Sequence, residues 1–336
     1  MADITIIGAG SWGIALATVL CKNGHNVTIW SIVKQEIEML KECHEHKDKL
    51  PGVILDESIV FTDDISEAAK DKDLFVMAVP SPYTRSTSHL FAPYIEKGKI
   101  IVNVAKGIEE DTLDTLTDII SEEIPQAVTA VLSGPSHAEE VSRGIPTTCV
   151  VGAESKETAE YIQNLFMNEF FRIYTSPDVL GIELGGALKN VVALAAGIAD
   201  GLGYGDNTKA ALITRGIHEI ARLGLAMGGK EESFTGLTGI GDLIVTCASM
   251  HSRNRRAGIL IGQGKTMQEA MDEVKMVVEG VYSAKAAIKL AEKYDVEVPI
   301  IEQVNLVLFD DKKASDALKD LMSRDRKAEI STLNWD

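Results

Sequence analysis

Three glycines within six residues, directly after the first apolar run, constrain this chain more than any other feature. Ile4–Ile7 reads as a short buried strand, Gly8-Ala9-Gly10-Ser11-Trp12-Gly13 follows at once, and Trp12–Asn23 has the apolar spacing of a crossover helix. Strand, tight loop and helix in that order start an open α/β sheet. Gly8 makes the turn, Gly10 lets the backbone approach a pyrophosphate, and Gly13 lets the helix pack on the strand. The helix N-terminus then presents unpaired N–H groups and a positive dipole end to phosphates. The loop is therefore read as a dinucleotide site rather than a plain glycine turn.

The rest of the first half continues the pattern. Short apolar runs at Val27–Trp30, Leu74–Val79, Ile100–Val104 and Val128–Leu132 alternate with amphipathic segments, as in a mostly parallel sheet wrapped by helices. Thr148–Val151 and Phe171–Tyr174 come next as edge or extra strands. From about Asp178 helix formers dominate and strand signals vanish. Ser176-Pro177-Asp178 reads as a hinge, with Asp178 able to cap a helix beyond it. The expected architecture is an α/β Rossmann-type domain over residues 1–177 and an all-α domain over 178–336, its charged tail from Asp310 a solvated helix.

Charge narrows the partners. The net charge of −17 disfavours nucleic acid and anionic membranes, so an anion site must be a local basic pocket. Cys21, Cys43, Cys149 and Cys247 lie far apart with no CxxC, which suits buried apolar residues better than disulfides or zinc ligands. MADITIIGAG has no signal-peptide pattern, and no stretch is an uninterrupted apolar span, so a cytoplasmic protein without integral membrane association is expected. No H-x-x-x-H or carboxylate cluster argues for a catalytic metal.

Polar residues in apolar surroundings mark the chemistry. Lys189 is the only charge in GGALKNVVALAAGIA, from Gly185 to Ala199. A desolvated lysine there has a lowered pKa and can protonate an alkoxide as hydride reaches a ketone; the alternative is a lysine snorkelling to solvent. Asn190 suits either a substrate oxygen or a helix surface. Asp242, the only charge in TGLTGIGDLIVTCAS, suits orienting Lys189 or a substrate hydroxyl, and also an N-cap, two compatible roles. Ser252-Arg253-Asn254-Arg255-Arg256 combines a serine cap, a helix N-terminus and guanidiniums, good chemistry for a phosphate; a surface salt-bridge cluster is the alternative. Lys106, and Gly134 with Ser136, come just after strands, where open sheets bind ligands; ordinary turn chemistry is the alternative. After Trp30 come Ser31, Ile32, Val33 and Lys34, with neither carboxylate nor arginine at the strand end, so NAD against NADP stays open. Together these residues read as a dehydrogenase for a small anionic substrate, with two alternatives: another reductase on this plan, such as a ketopantoate-type enzyme, or a non-catalytic dinucleotide sensor.

GAGSWGIALA, NVAKGIE, LSGPSHAEEV, ELGGALKNVVALAAGIADGLGYGDNTKAALITRG, GLTGIGDLIVTC, SRNRRAG and VVEG resemble, in order and spacing, the bacterial-type NAD(P)-dependent sn-glycerol-3-phosphate dehydrogenases. The resemblance implies interconversion of dihydroxyacetone phosphate and sn-glycerol 3-phosphate for phospholipid synthesis, by a homodimer with its active site between a Rossmann and a helical domain. It implies Lys189 as proton donor and acceptor. It implies substrate contacts from Lys106, Gly134, Ser136, Asp242, Ser252, Arg253 and Asn254, with Asn190 and Thr246 lining the pocket. Cofactor contacts are implied for Ser11, Trp12, Lys106, Ala138, Arg253, Val277 and Glu279. Two departures bear on the cofactor: Ser31 and Ile32 stand where a basic residue is common, and Lys49 replaces a tyrosine before Leu50-Pro51-Gly52.

Overall fold

The computed structural model describes residues 1–326, 328 and 329; the remaining part of the expected helical domain, 327 and 330–336, lies outside the described residues. Eight strands form one sheet: β1 (Asp3–Ile7), β2 (Asn26–Trp30), β3 (Val60–Thr62), β4 (Leu74–Met77), β5 (Ile100–Asn103), β6 (Val128–Ser133), β7 (Thr147–Ala153) and β8 (Phe171–Ser176). Their order is β3-β2-β1-β4-β5-β6-β7-β8, and only the β6–β7 pairing is antiparallel. Strand β3 is absent from the sequence reading. It has three residues and an exposed Val60, too short for an alternating pattern to register.

Strand order reverses between β1 and β4, and the glycine loop sits at that crevice. Gly8 has φ +117°, and a Cβ there would lie 2.9 Å from the Ala78 carbonyl carbon at the end of β4. Its N–H donates to the Trp30 carbonyl at 2.8 Å, which brings the end of β2 to the same loop. Helix Ser11–Lys22 then starts with no acidic residue in its first turn and no side-chain cap, leaving its leading amides available to an anion.

The helical part is organised around Val179–Gly201, a 23-residue helix capped by Asp178, whose Oδ1 accepts from the Gly181 N–H at 3.0 Å. The other Asp178 oxygen accepts from Lys230 N–H and Ser233 Oγ, so Asp178 also anchors Glu231–Thr235. This helix extends beyond the apolar stretch read from the sequence. By length and hydropathy it would suffice to cross a membrane, but 89% of its apolar window is enclosed by protein. Helices Asp206–Ala226, Asp242–Ala248, Arg253–Gly262 and Glu279–Lys293 surround it. The crossing with Arg253–Gly262 is close, since a Cβ on Gly258 would collide with the Leu194 carbonyl oxygen. Among the described residues of the tail, Ala314–Met322 forms a helix, only partly solvated because Ala317 is buried.

Candidate active site

The ends of β5 and β6 face one side of the Val179–Gly201 helix, and the polar residues meet there. Lys189 is 4% exposed and does not snorkel. Its Nζ donates to Thr246 Oγ1 at 2.6 Å and pairs with Asp242 Oδ1 at 2.9 Å. Thr246 Oγ1 donates in turn to Asp242 Oδ1 at 3.1 Å. The other carboxylate oxygen, Oδ2, receives Lys106 Nζ at 2.6 Å. Lys106 also donates to the Gly134 carbonyl at 3.0 Å, and so does Ser136 Oγ at 2.9 Å. One carboxylate thus holds two ammoniums that arrive from different elements.

Burial drives the protonation states. Desolvation lowers the Lys189 ammonium to about 8, helped by the Lys106 charge and resisted by Asp242. Burial alone would raise the Asp242 carboxyl, but Lys106 and Lys189 outweigh it and hold the group below the ordinary aspartate value. The cap reading of Asp242 falls away. The helix it opens has Gly241 at its N-cap with no side-chain capping bond, and a π-helical turn over Leu237–Gly241 aims the carboxylate at the lysines.

The cationic run divides into distinct jobs. Ser252 Oγ caps Arg253–Gly262 by accepting from the Arg255 N–H at 3.1 Å. Arg255 is a salt-bridge residue, bound to Asp200 through Nε at 2.8 Å and Nη2 at 2.7 Å. Arg256 is exposed, whereas Arg253 is half-buried at the helix start and pairs with no carboxylate among the described residues. Asn254 Nδ2 donates to Asn190 Oδ1 at 2.9 Å, and Asn254 Oδ1 accepts from the Gly280 N–H at 2.8 Å. Asn190 is therefore a buried residue, not a helix-surface amide, and its Nδ2 has no hydrogen-bond partner among the described residues.

Other predicted residues stand on separate elements. Ser11 and Trp12 open the helix after the glycine loop, and Ala138 begins the short helix Ala138–Val141 after β6. Val277 precedes the Glu279–Lys293 helix, and the Glu279 carboxylate is close enough to act on the Lys189 charge. The end of β2 requires a correction: it does have a carboxylate, supplied six residues later. Ser31 Oγ donates to Glu36 Oε2 at 2.9 Å, and Lys49 Nζ pairs with Glu36 Oε1 at 2.5 Å. Burial of Glu36 is overcome by His46, Lys49 and Ser31, which hold it at about 2. Lys34 is 76% exposed and lies 3.7 Å from Asp63. The four cysteines are free, with Cys149 and Cys247 buried. Among the described residues no group of three or more His, Cys, Asp or Glu is placed to hold a metal.

Comparison with known proteins identifies the family. Residues 3–159 match the N-terminus of NAD-dependent glycerol-3-phosphate dehydrogenase, and residues 178–319 match its C-terminus. This chain belongs to that family. A glycerol-3-phosphate dehydrogenase [NAD(P)+] from Agathobacter rectalis is 68% identical over 335 residues, covering 100% of both chains. One of the same name from Fusobacterium nucleatum is 64% identical over 336 residues, covering 99% of this chain and 100% of the other. Among solved structures, glycerol-3-phosphate dehydrogenase from Coxiella burnetii superposes with TM-score 0.93 at 34% identity, covering 96% of this chain and 99% of that one. A ketopantoate reductase from Ralstonia eutropha reaches only TM-score 0.58 at 15% identity, a likeness of fold alone.

Proposed function

We propose that this chain interconverts dihydroxyacetone phosphate and sn-glycerol 3-phosphate, with Lys189 as the proton donor and acceptor. The observation that carries the mechanism is the Lys106–Asp242–Lys189 bridge, with nitrogen–oxygen distances of 2.6 and 2.9 Å. A buried ammonium lowered to about 8 is a competent acid at neutral pH. In reduction it passes a proton to the substrate oxygen; in oxidation the free amine takes that proton back. Asp242 and Thr246 orient the Lys189 Nζ.

Arg253 pairs with no carboxylate among the described residues and, at a helix N-terminus beside Ser252 and Asn254, is suited to the substrate phosphate. Lys106, Gly134 and Ser136 line the facing side, with Asn190 Nδ2 free to donate to a substrate oxygen. The residues also fit a dinucleotide. No Cβ fills the approach at Gly8, and the helix beyond offers unpaired amides to a pyrophosphate bound along Gly8, Gly10, Ser11, Trp12 and Gly13. Lys106, Ala138, Arg253, Val277 and Glu279 complete the cofactor contacts in this reading. NADH or NADPH, when bound, supplies the hydride to the substrate carbonyl carbon. The Rossmann-type domain ends at residue 177 and the helical substrate domain begins at 178. We place the protein in the cytoplasm, as a homodimer without integral membrane association, supplying glycerol phosphate for phospholipid synthesis.

The test is oxidation of NADH and of NADPH by the purified protein with dihydroxyacetone phosphate, repeated with inorganic phosphate as competitor. Turnover that phosphate inhibits competitively is expected. Cofactor binding without turnover would favour a non-catalytic sensor, and turnover of a non-phosphorylated keto acid would favour another reductase.

A further inference from the structure

The helix that carries Lys189 and the turn that carries Lys106 are joined twice. One link is Asp242. The other is Glu183, 5% exposed and six residues before Lys189 on the same helix. Glu183 Oε1 accepts from Asn103 Nδ2 at 3.1 Å and from the Thr117 N–H at 3.0 Å, while its Oε2 accepts from Thr117 Oγ1. Asn103 ends β5 and clamps the turn after it: its Oδ1 accepts from the Ala105 N–H at 3.1 Å, and its Nδ2 donates to the Ala105 carbonyl at 3.2 Å. The next residue is Lys106. Glu183 therefore reaches Lys106 through one side chain and one backbone unit.

We propose that Glu183 is a positioning residue for the reaction: through Asn103 it fixes the turn carrying Lys106, and so sets where Lys106 and Lys189 stand across Asp242. Without this link the turn and Lys106 move away, while Asp242 stays with Lys189, to which Thr246 of the same helix also ties it. The link works through hydrogen bonds rather than charge, because each donor to Glu183 is neutral. Burial, with the nearby Asp118 adding to it, pushes the carboxyl up to about 7 against the donation from Thr117 and Thr115. A neutral isostere should thus retain the function. The proposal rests on the dehydrogenase reading for what the site does, but the geometry it asserts can be measured without turnover.

The experiment tracks the Lys189 Nζ titration by NMR in 15N-lysine-labelled full-length wild type, Glu183→Ala, Glu183→Gln and Asn103→Ala, beside kcat and KM for dihydroxyacetone phosphate. Charged and titratable groups facing Lys189 are Asp242, Lys106 and Glu279, with His137 and Cys247 also within electrostatic reach. Lys106 presses the Lys189 pKa down, so a displaced Lys106 moves that titration to higher pH. The expected result is an upward shift in Glu183→Ala and Asn103→Ala, with kcat/KM about 30-fold lower, the scale of a modest misplacement of a reacting group. Glu183→Gln should recover activity to within about threefold. An unmoved Lys189 titration in folded Glu183→Ala and Asn103→Ala would overturn the proposal. A wild type that does not reduce dihydroxyacetone phosphate would refute the dehydrogenase reading, while the NMR titrations would still decide the role of Glu183.

Discussion

Asp242 and Glu183 are almost equally hidden from water, 2% and 5% exposed, yet they behave in opposite ways. Asp242 lies between two ammoniums, which hold its carboxyl below the ordinary aspartate value despite burial. Glu183 meets an amide side chain, a hydroxyl and a backbone N–H, and burial lifts it to about 7. Depth alone therefore does not set the state of a buried carboxyl; the charge of its partners does. The consequence is a division of labour. Asp242 remains an anion and orients cations, whereas Glu183 fastens the frame and can do so without charge.

Removing one cation gives the largest break in that contrast. Lys189→Ala should lower kcat by about 10³-fold or more, the range of a lost general acid, while fluorescence titration finds NADH affinity nearly unchanged. Making Asp242 as neutral as a protonated Glu183 comes next. Asp242→Asn should reduce kcat/KM by about 10²-fold, since roughly 2.7 kcal/mol of transition-state stabilisation corresponds to that factor, and both lysines lose their shared anion. Arg253 lies outside the carboxylate contrast, so Arg253→Ala sharpens it by failing differently. Steady-state kinetics should show KM for dihydroxyacetone phosphate raised about tenfold with kcat little changed, as for binding shared by ground and transition states.

A third buried carboxylate gives the smallest effect. Glu219 accepts from the Ile300 N–H at 2.9 Å and the Ile301 N–H at 3.3 Å, and like Glu183 burial raises it to about 7. Its folded pKa exceeds the ordinary 4.5, so the folded protein binds this proton more tightly than the unfolded chain. The associated stability is present below 4.5 and is lost as pH rises through about 7. Urea unfolding across that window should show a smaller decline for Glu219→Gln than for wild type, by about 1–3 kcal/mol. Identical slopes would contradict the assignment.

Legibility in the sequence depends on the distance over which each feature is built. The glycine loop, the Asp178 cap and the Ser252 cap are local, and their residue types reveal them. Lys189 stands out because its neighbours in sequence are also its neighbours in the helix. Glu183 does not, although it lies in the same helix, because its partners are 66 and 80 residues away. Glu36 escapes notice as a carboxylate for the end of β2 because a helical turn carries it back to Ser31 from five positions on. Asp242 has two readings until the π-helical turn before it gives its side chain a direction. The arginine run looks uniform in sequence, but Asp200 claims Arg255 and leaves Arg253 without a carboxylate partner among the described residues.

The most direct measurement is the pH dependence of kcat/KM for dihydroxyacetone phosphate reduction at saturating NADH. Lys189 must carry its proton to act as the acid, and burial places its loss at about 8. The rate should therefore fall on the alkaline side of that point, and the reverse oxidation should rise over the same range. A reduction rate that stays level well above that point would mean that the proton comes from another group.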